Sequence, residues 1–375
     1  MNLCILTYKY PGKHNTSDYA FVKQLVDAIA EKGHHCYVLV PFNITYYKRL
    51  TIAGEDYKQG KGRVTVIRPG YLSFSTLHIG KFKLSSWLRK RALKKAFKEM
   101  GIIPDAIYGH FWSSGYAGYE FAKKHNVPLF VASGESDIKK LFKPKGNIDG
   151  FTDFVKGVIC VSSKNRDESI KLGLTSADKC GIYPNAVNSD LFKKYDKAEC
   201  RAKLGFPQDA FIVAFVGWFI ERKGPLRVAE ATSKVGGVNS LFIGKGQQEP
   251  MCDGILFKGA LPHEEIPIYL GAADCFVLPT LAEGCCNAIV EAMACGLPVI
   301  SSNLPFNWDV LDESNGIMVD PNNVDEIAAA IRTLRDDKEK LTGLSRGALK
   351  KAASLTIDKR AGNIMSFIHD RILNQ

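Results

Sequence analysis

Residues 275–300 of this 375-residue chain read CFVLPTLAEGCCNAIVEAMACGLPVI. The apolar run at 275–278 predicts a buried strand, and the apolar spacing after it predicts a helix over 287–294. Gly296 and Pro298 end that helix and lead into another buried strand. A strand, a helix and a strand in this order form part of an α/β unit, so the stretch predicts a doubly wound parallel sheet.

The same order recurs along the chain in two series. In the first, strands are predicted at 2–7, 36–41, 106–108, 128–132 and 158–161, with helices at 19–31, 114–125 and 164–172. In the second, strands are predicted at 211–216, 240–243, 255–257 and 275–278, with helices that begin at Pro225 and near Glu264. Ligands of such sheets bind at the carboxyl ends of the strands. We therefore predict two Rossmann-like doubly wound α/β domains, 1–185 and 186–356.

Composition excludes several protein classes. Hydrophobic residues make up 46% and charged residues 24% of the chain, as in soluble globular proteins and unlike disordered or collagen-like chains. The longest apolar runs reach about half of the roughly 20 residues that span a bilayer, and the first residues lack a signal-peptide core. We therefore expect a cytoplasmic protein. The ten cysteines form no CxxC pair, so we predict neither a disulfide scaffold nor a metal site.

The excess positive charge lies in the first half. Residues 1–185 hold 29 Lys and Arg against 15 Asp and Glu, a balance of +14, whereas the remainder holds 21 against 24. Residues 81–98 carry eight basic residues and no acidic one, and helical spacing places Leu84, Trp87, Leu88 and Ala92 on one face.

Such a basic amphipathic helix can bind an anionic membrane surface. The predicted patch consists of Lys83, Trp87, Arg89, Lys90, Arg91, Lys94 and Lys95. An equally open interpretation is an ordinary surface helix whose apolar face packs on the core. Nucleic-acid binding is disfavoured because no recognition motif accompanies the charge.

The loop after strand 275–278 predicts an anion site. Gly284, Cys285, Cys286 and Asn287 lie where the helix begins, so their backbone N–H groups and the helix dipole favour a negative ligand. Glu291 lies one turn further, where its carboxylate can accept two hydroxyls of a ribose. Glu283 alone could be an N-terminal carboxylate that complements the helix dipole.

Glu283 and Glu291, separated by seven residues and followed by EAMACGLPVI from Glu291 onward, resemble the E-x7-E signature of the retaining family-4 glycosyltransferases with the GT-B fold. Other motifs of that family occur in its order. They are DAIYGH at 105–110, GVICVSS at 157–163, IYPNAVN at 182–188, a diphosphate-binding loop from Val216 to Gly224, LFIGKG at 241–246 and FKG at 257–259. The resemblance implies two domains that face a cleft, with a C-terminal helix, about 357–375, crossing back onto the first.

The resemblance also implies a role for each matching residue. Lys223 and Arg222 would neutralise the diphosphate of a nucleotide-sugar, such as a UDP- or GDP-sugar, and so stabilise the leaving group. Glu283 would contact the donor sugar, Glu291 would hold the ribose, and His110 would reach across the cleft to orient the sugar. Gly217, Trp218 and Lys258 complete the predicted donor site, together with the loop amides at 284–287.

The chain departs from the family pattern at Trp218 and in two segments. Trp218 stands where an arginine commonly follows the loop glycine, so either Arg222 substitutes for that arginine or fewer cations hold the diphosphate. Residues 10–15 replace the paired glycines of the acceptor loop, and residues 133–137 replace a loop that normally contains histidine. The weaker acceptor assignment comprises Gly12, Lys13, Asn15, Ser136 and Asp137.

The resemblance implies an enzyme that transfers a sugar to a glycan or lipid-linked acceptor, as in cell-surface polysaccharide assembly. It implies no protein nucleophile, no further cofactor and no metal. An epimerase or a phosphorylase on the same fold is an alternative, but the additional carboxylates and histidines of the one and the cofactor lysine of the other are not recognisable. The third hypothesis is a non-catalytic polybasic membrane adaptor. The presence together of Glu283, Glu291 and Lys223 argues against this hypothesis.

Overall fold

Two parallel sheets organise the chain in the computed structural model, which describes residues 1–12, 19–48, 52–73, 78–79, 82–143 and 148–373. The chain divides into two units. Unit 1 contains residues 1–161, 165–183 and 360–375, and unit 2 contains residues 162–164 and 184–359. The two doubly wound α/β domains predicted from the sequence are therefore present.

Unit 1 is built on a mostly parallel sheet. The strands of unit 1 are β1 (Asn2–Thr7), β2 (His35–Leu39), β3 (Phe42–Asn43), β4 (Glu55–Gln59), β5 (Gly62–Ile67), β6 (Gly70–Tyr71), β7 (His78–Ile79), β8 (Phe82–Lys83), β9 (Ala106–His110), β10 (Leu129–Ser133), β11 (Val155–Cys160) and β12 (Cys180–Ile182). Of these, β3 pairs with β6 and β7 pairs with β8 outside the main sheet. Within the described residues the main sheet has the order β12-β11-β10-β9-β1-β2-β5-β4, and only β4 runs antiparallel to its neighbour. β1, β9 and β10 are buried along nearly their whole length, as expected for strands covered on both faces.

Helices cover the sheet of unit 1. They are α1 (Ala20–Glu31), α2 (Ile44–Tyr47), α3 (Leu84–Met100), α4 (Trp112–His125), α5 (Ile138–Leu141), α6 (Asp149–Phe154) and α7 (Ser163–Lys171). α4 lies so close to the end of β9 that a Cβ on Gly109 would stand 2.3 Å from the Cα of Gly115. This approach, which glycine alone permits, brings the start of α4 directly beside His110.

The predicted apolar face of α3 is wrong in part. Trp87 is 42% exposed, whereas Ala92, Leu93, Ala96, Phe97 and Met100 are buried. The buried residues follow the i, i+3, i+4, i+7 pattern from Leu93, and this longer stripe determines which side packs on the core. The exposed side of α3 therefore carries the tryptophan together with the basic residues.

Unit 2 contains the second parallel sheet. Its strands are β13 (Ile212–Val216), β14 (Asn239–Ile243), β15 (Ile255–Gly259), β16 (Cys275–Leu278), β17 (Val299–Ser302) and β18 (Gly316–Val319). Its helices are α8 (Lys197–Leu204), α9 (Pro225–Val235), α10 (Ile266–Ala272), α11 (Asn287–Ala294), α12 (Val324–Asp336) and α13 (Lys338–Ala352). In the described chain the strand order is β15-β14-β13-β16-β17-β18. The chain thus continues from β13 to one side and later returns to the other, so β13 and β16 flank a topological switch point, where open α/β sheets bind ligands.

A buried ion pair fastens the amino ends of β13 and β16. Asp274, 9% exposed, accepts hydrogen bonds from the Arg201 guanidinium at 2.7 Å and from the Ile212 backbone N–H at 2.7 Å. Lys197 Nζ lies 2.5 Å from the other carboxylate oxygen. This network joins α8 to the two strands whose opposite ends form the site described below.

The last helix, α14 (Ile357–Leu373), contributes its residues from Arg360 onward to unit 1. The Phe367 ring lies 6.4 Å from that of Phe130 in β10 and 5.5 Å from that of Tyr183. Arg360 Nε donates a hydrogen bond to the Tyr183 carbonyl at 3.3 Å. The C-terminal segment is therefore part of the core of unit 1.

Candidate functional site

Two cations and one carboxylate meet at the carboxyl edge of the sheet of unit 2. Glu283 Oε1 lies 2.6 Å from Lys223 Nζ and 2.5 Å from Arg222 Nη1, and the Thr280 hydroxyl donates to the same oxygen at 3.0 Å. Arg222 and Lys223 lie in the short 3₁₀ turn after β13, and Glu283 lies in the loop after β16. Because β13 and β16 are parallel neighbours, the segments that follow them meet.

The contacts of Glu283 use one carboxylate oxygen. Lys223, Arg222 and Thr280 all bind Oε1, and Oε2 makes no hydrogen bond to any residue that the structure describes. The carboxylate is therefore held in place by one oxygen and can accept a hydroxyl with the other. The sequence predicted that these residues share a site, but not that they are paired with each other.

Burial makes this cluster electrostatically strong. Lys223 is 9% exposed. Burial alone would lower the pKa of Lys223, but the nearby Cys286 and Glu283 outweigh it and raise that pKa. For Glu283, burial would raise the pKa, yet the positive charges of Lys223 and Arg222 lower it below its usual range. Both side chains are therefore charged at neutral pH.

The first turn of α11 lies beside this cluster, as predicted. The helix begins at Asn287, after Gly284, Cys285 and Cys286. Lys223 Nζ lies 3.8 Å from Cys286 Sγ, and the Asn185 side-chain amide donates to the Cys285 carbonyl at 2.9 Å. Asn287 Oδ1 is buried without a hydrogen-bond partner among the described residues. The amino end of a helix and a buried lysine thus lie together, which favours an anion.

Glu291 has a neighbour that the sequence did not indicate. His263 Nε2 lies 2.9 Å from Glu291 Oε1, and the Phe192 ring lies 5.0 Å from the imidazole. Burial would lower the pKa of His263, but the hydrogen bond and charge of Glu291 raise it above the usual value. His263 follows Pro262 in a 3₁₀ turn before α10, and no motif marked it in the sequence.

A small cavity of about 210 Å³ opens at the carboxyl ends of β13 and β14. It is lined by Val216, Gly217, Trp218, Ile243, Gly244, Lys245, Ala260, Leu261 and Ile266. Two strand ends approach closely here, because a Cβ on Gly244, whose φ is +155°, would lie 1.9 Å from the Gly217 carbonyl oxygen. Trp218 is 57% exposed, and Lys245 Nζ lies 5.8 Å from its ring centre. The predicted donor residue Lys258 instead forms an ion pair with Glu249 at 3.1 Å.

His110 ends β9 in unit 1 and is buried. Neither ring nitrogen has a hydrogen-bond partner in the described part of the chain. Burial, followed by the positive charge of Arg360, lowers the pKa of His110 to about 3, so the imidazole is neutral at physiological pH. A buried imidazole without protein partners is available to a ligand hydroxyl.

The weaker acceptor residues fall in different places. Lys13 and Asn15 lie outside the described residues, and Gly12 lies against the Arg68 guanidinium. Asp137 caps α5 by accepting the Lys140 N–H at 2.8 Å, and Ser136 precedes it. The described acceptor residues, Gly12, Ser136 and Asp137, all belong to unit 1.

Glu135, within the segment 133–137 but given no role there by the sequence, is buried just after the end of β10. Its carboxylate accepts the N–H groups of Trp112 and Gly134, each at 3.0 Å. Burial raises the pKa of Glu135 to about 7, although these backbone hydrogen bonds oppose the shift. Glu135 thus caps the amino end of α4, directly after His110.

Most residues of the predicted membrane patch have intramolecular contacts. Lys90 and Lys94 both lie near Glu120, at 3.2 and 3.8 Å, and Lys95 lies 3.4 Å from Glu99. The Arg91 guanidinium lies 4.8 Å from the Trp87 ring, and that of Arg89 lies 4.7 Å from the Tyr8 ring. The side chain of Lys83 is outside the described part of the structure. Membrane binding by this patch stays a prediction.

The described residues contain neither a metal-binding cluster nor a membrane-spanning helix. No group of three or more His, Cys, Asp or Glu side chains there is arranged to hold a metal ion. No helix in that part of the chain has the length and apolar character needed to cross a membrane. Each of the ten cysteines is free.

The segment that contains the cluster of unit 2 is similar to known proteins. Residues 196–351 match the family described as Glycosyl transferases group 1. The chain is 26% identical over 353 residues to TuaC of Bacillus subtilis (strain 168), named as a teichuronic acid biosynthesis glycosyltransferase, with 88% of each chain covered. It is 30% identical over 239 residues to a UDP-Gal:alpha-D-GlcNAc-diphosphoundecaprenol alpha-1,3-galactosyltransferase of Escherichia coli, covering 58% of this chain and 61% of that one.

Solved structures share the fold. Sucrose-phosphate synthase from Thermosynechococcus elongatus has a TM-score of 0.76 at 19% identity, with all of both chains covered. Anabaena HepE in complex with UDP-glucose has a TM-score of 0.70 at 18% identity, with 98% of this chain and 99% of that one covered. The predicted fold class, two Rossmann-like domains of the GT-B type, is confirmed, and so is the predicted relationship to the glycosyltransferases.

Proposed function

We propose that this chain, whose residues 196–351 match the group 1 glycosyltransferases, transfers a sugar from a nucleotide-diphosphate-sugar to a glycan or lipid-linked acceptor, with retention of the anomeric configuration. The observation that carries the proposal is the pairing of Glu283 with the buried Lys223 and with Arg222 at the switch point of the sheet. Glu283 lies in the loop that precedes the helix of Glu291. A diphosphate needs cations and backbone amides, and a sugar needs a fixed carboxylate. This edge of unit 2 offers all of them.

The charges assign a role to each group. Lys223 and Arg222 bind the diphosphate and stabilise the negative charge that grows on it as the glycosidic bond breaks. The backbone amides at the start of α11 add the positive end of the helix dipole, which also stabilises negative charge. Because these groups are in place before the reaction, they need little reorganisation when the charge develops. Cations supplied by side chains also make a metal ion unnecessary, so we propose a metal-independent reaction without a further cofactor.

The carboxylates select the rest of the donor. Glu283, held through Oε1, accepts a sugar hydroxyl at Oε2. Glu291 accepts the ribose hydroxyls, and His263 orients it. We place the base in the 210 Å³ cavity beside Gly217 and Ile266. HepE, with a similar fold, was solved with UDP-glucose, which supports a UDP-sugar as the first donor to test and a GDP-sugar as the second.

Retention requires no protein nucleophile in this proposal. The leaving phosphate oxygen accepts the proton of the acceptor hydroxyl while that hydroxyl attacks from the same face of the sugar. The neutral imidazole of His110 offers a donor and an acceptor to a sugar hydroxyl. Its low pKa keeps it neutral across the working pH range.

We further propose that the acceptor belongs to cell-surface polysaccharide assembly at the cytoplasmic side of the membrane. Two relatives support this: TuaC is named for teichuronic acid biosynthesis, and the galactosyltransferase is named for a diphosphoundecaprenol-linked acceptor. We propose no nucleic-acid partner.

The test compares donors and a variant. Purified protein is incubated with a panel of UDP- and GDP-sugars, and release of nucleoside diphosphate is measured for the native chain and for Glu291→Ala. One donor should be hydrolysed slowly. Glu291→Ala should reduce release of nucleoside diphosphate from that donor by about 10-fold or more, because the variant binds the donor with two fewer charge-assisted hydrogen bonds. Glu339→Ala, an exposed glutamate in α13, is the matched control and should leave that release unchanged.

Product stereochemistry tests the finer part of the proposal. With a lipid-linked acceptor, nuclear magnetic resonance of the product should report the same anomeric configuration as the donor. Inversion would refute the retaining mechanism while leaving glycosyl transfer intact. Failure of every donor to bind or react would refute the transferase proposal.

A further inference from the structure

A large groove runs between α3 and α4 in unit 1 and is distinct from the charged cluster of unit 2. Its volume is about 960 Å³, at the upper end of the range of about 300 to 1,000 Å³ found for small-molecule sites. All of its lining residues belong to unit 1. Neither the nucleotide-sugar chemistry nor the matched family segment, residues 196–351, accounts for it.

The walls of the groove are apolar and aromatic. Phe97 of α3 and Phe121 of α4 stack with ring centres 3.9 Å apart. Phe151 of α6 packs against Tyr116 at 5.2 Å, and Leu93 completes the apolar surface. Leu93, Phe97 and Phe151 are 7%, 6% and 1% exposed and contribute little accessible surface. The apolar surface that a ligand could contact is offered by the partly exposed Tyr116, Ala117 and Phe121.

Exposed apolar residues lie at the mouth of the groove. Ile103, which follows α3, is 59% exposed, and its neighbour Ile102 is 36% exposed. Both line the groove. Contiguous apolar surface that faces water is uncommon unless a ligand, a partner or a membrane covers it.

The rim of the groove is basic. Lys90, Lys94, Lys98 and Lys124 line it, against the single acidic lining residue Glu120. Glu120 lies within 3.2 Å of Lys90 and 3.8 Å of Lys94, whereas Lys98 and Lys124 form no ion pair with any described residue. Four lysines against one glutamate leave an excess of three positive charges around an apolar interior.

We propose that this groove binds an anionic phospholipid of a membrane, with an acyl chain against the aromatic walls and the phosphate group at Lys98 and Lys124. An apolar channel with a cationic rim complements a molecule that has an apolar tail and a negative head. A peptide or a glycan fits less well, because its many polar groups would meet the exposed apolar side chains of Ile102 and Ile103, which offer no hydrogen-bond partner.

The first arm of the experiment measures the charge. Co-sedimentation with phosphatidylcholine vesicles that contain phosphatidylglycerol should show binding of the native chain, and pure phosphatidylcholine vesicles should bind at least 10-fold less. Lys98→Glu combined with Lys124→Glu should weaken binding to the anionic vesicles by at least 10-fold. Lys203→Glu combined with Lys350→Glu changes the net charge equally on exposed residues of unit 2 and should bind as the native chain does.

The second arm measures the tail. Dihexanoyl phosphatidylglycerol, monomeric in solution, should bind the native chain, and glycerol phosphate, which lacks the tail, should not. Ala117→Trp places a large side chain in the groove and should reduce binding of the short-chain lipid by at least 10-fold while leaving the lysines unchanged. Circular dichroism and donor hydrolysis by each variant confirm that it is folded.

Specific results would overturn the proposal. It is wrong if glycerol phosphate binds as well as the short-chain lipid, or if Ala117→Trp binds that lipid normally. It is also wrong if both charge-reversed proteins lose vesicle binding equally, because net charge alone would then explain it. If the short-chain lipid does not bind but Ala117→Trp impairs transfer to a lipid-linked acceptor, the groove holds the acceptor instead. These readouts are binding measurements, so they stay separate from the outcome of the donor test.

Discussion

Replacement of Glu283 by glutamine should destabilise unit 2, and the structure sets the size of the effect. Glutamine has almost the same shape as glutamate but no charge. Lys223, 9% exposed and 2.6 Å from the lost carboxylate oxygen, would be left as a buried cation without a counter-ion. Removing one partner of a buried ion pair costs about 3 to 5 kcal/mol.

We expect the lower end of that range, about 3 kcal/mol. The side chain of Arg222 is 37% exposed, so water can solvate it once the carboxylate is gone. The glutamine carbonyl can also still accept the Thr280 hydroxyl. A loss of about 3 kcal/mol raises the unfolded fraction of unit 2 by about 100-fold.

Hydrogen exchange read by mass spectrometry suits a chain with two units, because it reports each region separately. In Glu283→Gln, peptides from β13 and β16 should lose protection from hydrogen exchange, whereas peptides from β1 and β9 should exchange as in the native chain. Lys223→Met combined with Glu283→Gln removes both charges and should recover about 1 to 2 kcal/mol relative to Glu283→Gln alone. A loss below 1 kcal/mol in the single variant, or simple additivity in the double variant, would refute a buried, coupled pair.

Three further outcomes are expected. Asp274→Asn breaks a buried network and should cost about 3 to 5 kcal/mol in a denaturation assay, whereas Asp325→Asn, at an exposed pair, should cost at most about 1 kcal/mol. The pKa of His263 is raised, so its stabilising pair is complete below about pH 6.5 and is lost as the pH rises through the raised pKa; melting temperatures across pH 5.5 to 8.5 should show that step, and His263→Gln should lack it. Gly244→Ala would place a Cβ 1.9 Å from a backbone oxygen and should abolish nucleotide binding measured by calorimetry, while an unchanged affinity would contradict the close strand approach.

The features that could be predicted from sequence are those that local patterns encode. The strand 275–278 and the helix 287–294 were predicted with the bounds that the structure has. Apolar runs identify buried strands, and parallel strands bring their carboxyl ends to one edge. Glu283 and Lys223 could therefore be assigned to one site although they are 60 residues apart in the sequence.

The features that were missed depend on tertiary packing. His263 reaches Glu291 because the turn before α10 packs against α11, and no local motif encodes that contact. In α3 two apolar stripes compete, and the sequence did not show that the one containing Leu93 and Phe97 would be buried while Trp87 stayed exposed.

The pairing of Glu283 with Lys223 also constrains how a diphosphate binds. An incoming diphosphate must compete with the carboxylate for the same ammonium group, so part of the binding energy is offset by loosening the pair. In Glu283→Gln the lysine has no such competitor, and we expect free nucleoside diphosphate to bind at least as tightly as to the native chain, while sugar transfer falls because the sugar hydroxyl has lost its charged acceptor. Calorimetry with the diphosphate and turnover of the donor separate the two effects. If Glu283→Gln weakened both, the carboxylate would be positioning the cations rather than competing for them.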